Sequence, residues 1–130
     1  IRWARLYEAG VAESMIKHIV MWNLRGETPA EKTRGIHLLK NSFESLRGRI
    51  PGLLHLEIGV DSSGIDYACD VVLYTEFDSQ AALDAYGSHP EHLRVRHELA
   101  DLRVARYQVD YEDPQARRLS PAHHSKETSE

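Results

Sequence analysis

The chain has 130 residues, 42% of them hydrophobic and 28% charged, which suits one folded domain and excludes both a pair of large domains and disorder throughout. Sixteen basic against twenty acidic side chains leave a net charge of −4 with neutral histidines, so the balance favours neither nucleic acid nor an anionic membrane surface as partner. The single cysteine, Cys69, cannot form an internal disulfide, and no apolar run nears the ~20 residues of a bilayer span, which points to a cytoplasmic protein.

Residues 1–14 place Trp3, Leu6 and Tyr7 on one helical face but contain no signal-peptide core, and the first methionine is Met15. They read as an N-terminal extension or a segment derived from the expression vector. Residues 113–130 are polar, hold two prolines and have Leu119 as their only large aliphatic side chain, the composition of a disordered tail. Both ends are electrically neutral, so the whole net charge belongs to the domain expected over 15–112.

Within it, Met15 to Leu24 is rich in β-branched and aromatic residues and ends at Arg25-Gly26, the pattern of a strand and a turn. Thr28-Pro29-Ala30-Glu31 supplies an N-cap threonine, a proline at the first helical position and a glutamate at N3, a capping box. Ile36, Leu39, Phe43 and Leu46 then form one apolar stripe, and Gly48 with Pro51 ends the helix near Arg47. Leu53 to Val60 and Ala68 to Phe77 read as strands joined by the turn at 61–64. Ser79 caps a short helix through Tyr86, the break Gly87-Ser88-His89-Pro90 follows, and a further helix runs to about Leu102. Val104 to Tyr111 is the last strand.

The order β-α-β-β-α-β predicts an α+β, ferredoxin-like protomer: a four-stranded antiparallel sheet with its helices on one face. In such a protomer the strands should alternate apolar and polar. Here Ile16, Val20 and Trp22 share one parity of the first strand while Ile19 and Met21 share the other, and Val71, Leu73 and Phe77 are set against Val72 and Tyr74. Both faces call for burial, so we expect a homodimer through the open sheet face, a dimeric α+β barrel.

The stretch Ala85 to His92 is the richest in chemistry. Pro90 at the first helical position puts His92 in the first turn, where unpaired N–H groups and the helix dipole disfavour an imidazolium and leave a base near neutral pH. Tyr86 closes the preceding helix just across the break, and His18, with the parity of Val20 and Trp22, is a third candidate for the same site. The plainer alternative is that His89-Pro90 is a helix entry, with His89 capping locally and His92 bonded to nearby backbone. A metal site built on His89 and His92 with Glu91, His97 or Asp110 has no recognised ligand spacing behind it, and the adjacent pair His123-His124 lacks fixed geometry. Cys69 reads as a small packing residue in an apolar strand, and Arg94 with Glu98 as an exposed (i, i+4) pair. Nucleotide-binding and serine-hydrolase motifs are missing from the sequence.

The combination of Met15-Ile-Lys-His-Ile-Val20, Ile50-Pro-Gly-Leu53, Glu76-Phe-Asp-Ser79 and Tyr86-Gly-Ser-His-Pro-Glu-His92 resembles the stress-responsive A/B barrel (Dabb) domain, a family of small dimeric α+β barrels. Its best-understood enzymes are plant polyketide cyclases such as olivetolic acid cyclase, which close a linear polyketide by aldol chemistry without a cofactor. The resemblance implies that His92 is the general base, that Tyr86 is the cooperating phenol and that His18 shapes or polarises the pocket. It also departs from the cyclase at Phe43, which lacks the hydroxyl found there. What it implies overall is a homodimer binding a small carbonyl or polyketide-like ligand between sheet and helices, with no metal or cofactor. The alternatives are a non-catalytic stress or ligand-binding barrel and a cofactor-independent monooxygenase.

Overall fold

A computed structural model describes residues 14–113 of the chain. The expected leading extension and tail therefore lie outside the described residues, apart from Ser14 and Asp113. Seven elements follow in order: β1 (Met15–Leu24), α1 (Pro29–Glu44), β2 (Leu53–Val60), β3 (Val71–Phe77), α2 (Gln80–Gly87), α3 (Pro90–Leu99) and β4 (Arg103–Asp113). The strands form one antiparallel sheet in the order β2-β3-β1-β4, the ferredoxin-like arrangement with its second helical region broken in two.

Local chemistry explains where the helices begin. The Thr28 hydroxyl accepts from the Glu31 amide at 3.1 Å, and the Glu31 carboxylate accepts from the Thr28 and Glu27 amides, so three donors at the start of α1 are satisfied. Ser79 does the same for the amide of Ala82. His89 caps α3, its Nδ1 accepting from the Glu91 amide at 3.0 Å. The ends are less regular than the periodicity suggests. Helix α1 stops at Glu44, with turns continuing to Gly52, and α3 stops at Leu99, where Ala100 adopts φ 47°. Strand β3 starts at Val71, so Cys69 lies in the preceding loop, half-buried, and not in an apolar strand. That loop is set by Asp70, whose carboxylate accepts from the Leu24 amide at 2.7 Å and from Lys32 Nζ at 2.8 Å. Paired charges and backbone bonds thus displace the strand that composition suggested.

The core lies between the helices and the face of the sheet that carries Ile16, Val20, Trp22, Leu73 and Phe77. Leu39, Phe43 and Leu46 of the α1 stripe and its following turn meet it fully buried, each contributing about 1.5–3 kcal/mol relative to exposure. Trp22 stacks on Phe43 with ring centroids 5.3 Å apart. The opposite face of the sheet has no helix. Its residues are set by register, Ile19 against Val109 and Met21 against Tyr107, and Met21, Tyr107, Val109 and Tyr111 are all exposed. Arg94 and Glu98 pair at 2.6 Å as spaced, but the pair also joins helices: Arg94 reaches Ser45 Oγ at 2.8 Å, and Ser42 reaches Glu98 at 3.0 Å. Among the described residues no helix is long and apolar enough to cross a membrane.

Candidate functional site

A cleft of about 490 Å³ opens between the sheet and the helices, within the usual size range of small-molecule sites. All the strands but β2, and all three helices, deliver residues to it. Strand β1 supplies His18, Val20 and Trp22 by its period of two, α1 supplies Phe43, the end of α2 supplies Tyr86, and α3 supplies His92 and Arg96 one helical turn apart. The three residues singled out in the sequence therefore share one cavity. The ring centroids of Tyr86 and His92 are 4.3 Å apart, and those of Tyr86 and His18 are 6.3 Å apart.

The electrostatics give each of them a definite form. His92 Nδ1 lies 3.2 Å from the Gly87 carbonyl. A carbonyl only accepts, so Nδ1 carries the proton and the lone pair of neutral His92 is on Nε2. Burial, followed by the influence of nearby cations, lowers the His92 pKa below its ordinary 6.5, against the opposing pull of the Gly87 carbonyl. The ring is thus a neutral base at pH 7. Tyr86 is buried and its pKa is driven well upward, chiefly by loss of solvent; the phenol stays protonated and is a hydrogen-bond donor. Its hydroxyl has no hydrogen-bond partner among the described residues, while its ring is clamped by Phe77 and His92.

His18 is buried, and its Nδ1 meets Asp110 Oδ1 at 2.7 Å. These residues are directly opposite in the β1–β4 register. Asp110 was weighed in the sequence only as a metal ligand beside His89 and His92; here it serves His18, and His89 spends its Nδ1 on the α3 cap. No cluster of three metal-binding side chains occurs among the described residues. Sequence reasoning missed Arg96, Arg103 and Arg106, which also line the cleft. The (i, i+4) spacing of His92 and Arg96 was the one available signal.

The model of the stress responsive A/B barrel domain matches residues 16–113 of the chain. The chain belongs to the Dabb family. Among solved structures, this Dabb domain is similar to a dimeric protein of ferredoxin-like fold from Bacteroides fragilis, at 32% identity and TM-score 0.69, over 78% of this chain and 99% of that one. A Dabb family protein from Mesorhizobium loti is 28% identical, with TM-score 0.60 over 76% and 96% of the two chains. A hydroxynitrile lyase from Passiflora edulis shares the fold at 16% identity and TM-score 0.62, over 77% and 94%. A search of the curated proteins finds no match.

Proposed function

We propose that this Dabb domain is a cytoplasmic homodimer that binds a small carbonyl compound in the cleft and, without a cofactor, removes a proton beside the carbonyl with His92. The observation that carries this reading is the contact of a neutral imidazole with a protonated phenol at the wall of one cleft. In the step itself, His92 Nε2 takes the proton, the C–H electron pair moves into the carbonyl to give an enolate, and the Tyr86 hydroxyl donates to the developing oxyanion. In an aldol closure the enolate carbon bonds to a second carbonyl carbon of the same molecule, and the proton on His92 returns to the resulting alkoxide. His18, oriented by Asp110, shapes the wall of the pocket beside Tyr86 and His92.

The homodimer is supported by the uncovered apolar face of the sheet and by the dimeric description of the Bacteroides fragilis structure. A second copy of the same face removes Tyr107, Val109 and Tyr111 from water without new surface elsewhere. Light scattering at micromolar concentration tests this: a monomer mass overturns it.

The competing reading is a non-catalytic barrel in which His92 and Tyr86 only hold the helix break. The two readings separate by mutation. We expect His92→Ala and Tyr86→Phe to abolish proton exchange or turnover of carbonyl substrates while the thermal midpoint moves by a few degrees at most. Loss of stability in both variants, with exchange activity absent from the wild type across a carbonyl panel, selects the structural reading.

A further inference from the structure

Three arginines meet at one wall of the cleft, although the chain as a whole is acidic. Arg103 and Arg106 are three residues apart on β4, a spacing that in a regular strand puts side chains on opposite faces. The register shows why both line the cleft: Asn23 faces Ala105 but Leu24 faces Arg103, so β4 carries an extra residue, Val104, at this point. This bulge reverses the parity of the strand and brings Arg103 to the side already occupied by Arg106, opposite Trp22. Arg96 joins them from α3.

None of the three has a carboxylate partner among the described residues. Of the five other arginines among the described residues, four (Arg25, Arg47, Arg49 and Arg94) lie against Asp or Glu. The guanidinium of Arg103 is half-buried over the Trp22 ring, 5.1 Å from its centroid, which holds it rigid and partly dehydrated. Burial and then the charges of Arg96 and Arg106 lower its pKa from the ordinary value. Like charges gathered in a partly dry cleft are costly unless an anion joins them. Val20, Trp22, Phe43 and Leu73 form an apolar wall between the arginines and the group His18, Tyr86 and His92.

From the arginine cluster, the bulge and the apolar wall we infer that the ligand is an organic anion, a compound with an apolar body and a carboxylate received by Arg103 and Arg106, with Arg96 beside them. The inference rests on the ligand-binding reading of the cleft and is independent of proton transfer by His92. Arginine forks match the two oxygens of a carboxylate. The apolar body lies along Trp22 and Phe43, which sets its reactive part toward Tyr86 and His92.

The test is calorimetric titration of the full chain at low ionic strength with 3-phenylpropanoate, with its uncharged amide 3-phenylpropanamide, and with inorganic phosphate. We expect the acid to bind at least about tenfold tighter than the amide, and added salt to weaken the acid alone. Arg103→Gln combined with Arg106→Gln should abolish that preference, and Arg106→Gln alone, at an exposed position, should reduce it in a chain that still folds. Equal binding of acid and amide, no saturable binding of either, or phosphate binding as tightly as the acid overturns the inference. His92→Ala separates it from the catalytic reading: an intact acid preference in that variant keeps the anion site whatever happens to turnover. Equal binding of acid and amide by a wild type that turns over neutral carbonyls leaves His92 standing and removes this site.

Discussion

His18 Nδ1 and Asp110 Oδ1 lie 2.7 Å apart across neighbouring strands, joining residues 92 positions apart in the chain. Because the carboxylate accepts, neutral His18 holds its proton on Nδ1 and presents Nε2 as an acceptor. Asp110→Ala removes that constraint. Long-range nitrogen-15 correlation spectra of the imidazole should show His18 as a single Nδ1–H tautomer in the wild type and as a mixture in the variant. An unchanged tautomer would show that Asp110 does not orient the ring.

His92 makes the stability of the fold depend on pH. Its pKa in the folded chain is below the ordinary 6.5, so between the two values the unfolded chain binds more protons than the folded one. The contribution to stability is complete above 6.5 and is lost as pH falls through the folded value. Urea melts at a series of pH values should show this loss in the wild type and its absence in His92→Ala. If His92 is the base, kcat/KM falls over the same acid window.

Gly52, in the Ile-Pro-Gly-Leu segment, has φ +82°, and a Cβ built there would sit 2.5 Å from the Cβ of Ala82 at the start of α2. Its carbonyl also accepts from the Asp78 amide, so the segment cannot simply move away. Gly52→Ala should cost about 2–4 kcal/mol, from left-handed strain and overpacking together, read as a lower denaturant midpoint. Gly48, also at positive φ but with open space around it, should cost less on the same substitution.

Ala100 follows α3 at φ 47°, ψ −121°, a conformation that suits glycine, and it lines the cleft. Strain of this kind costs ~1–3 kcal/mol, and glycine gives back ~0.5–1 kcal/mol in chain entropy. Ala100→Gly should therefore stabilise the chain by about 1 kcal/mol, seen as a rise in Tm. A lower Tm would mean that the backbone here is unstrained.

Ile19 sits at the middle of the uncovered sheet face, opposite Val109 on one side and Tyr74 on the other. If two copies meet there, Ile19→Lys buries an unpaired ammonium at the interface and should shift the light-scattering mass from dimer to monomer, with the circular dichroism of the chain retained. A dimer that survives this change uses another surface.

Much of the fold was legible before the structure because its signals are local. Thr28 and Glu31, Ser79 and Ala82, and His89 and Glu91 interact across two or three residues, so their pattern survives in one dimension, and β1 and β2 have the bounds their composition implies. His92 and Tyr86 were legible for the same reason, being one break apart. Their company was not. Asp110 reaches His18 only because β4 lies beside β1, and Arg103 reaches Arg106 only because a bulge at Val104 reverses the strand's parity. Strand order, register and bulges are decided by which long-range pairings bury the most apolar surface and satisfy the most backbone groups, a sum over the whole sheet. The amino-acid sequence determined by itself where the helices start, that Tyr86 and His92 flank one helical break and that both faces of the sheet are apolar. The tertiary structure decided which charges share the cleft with His92.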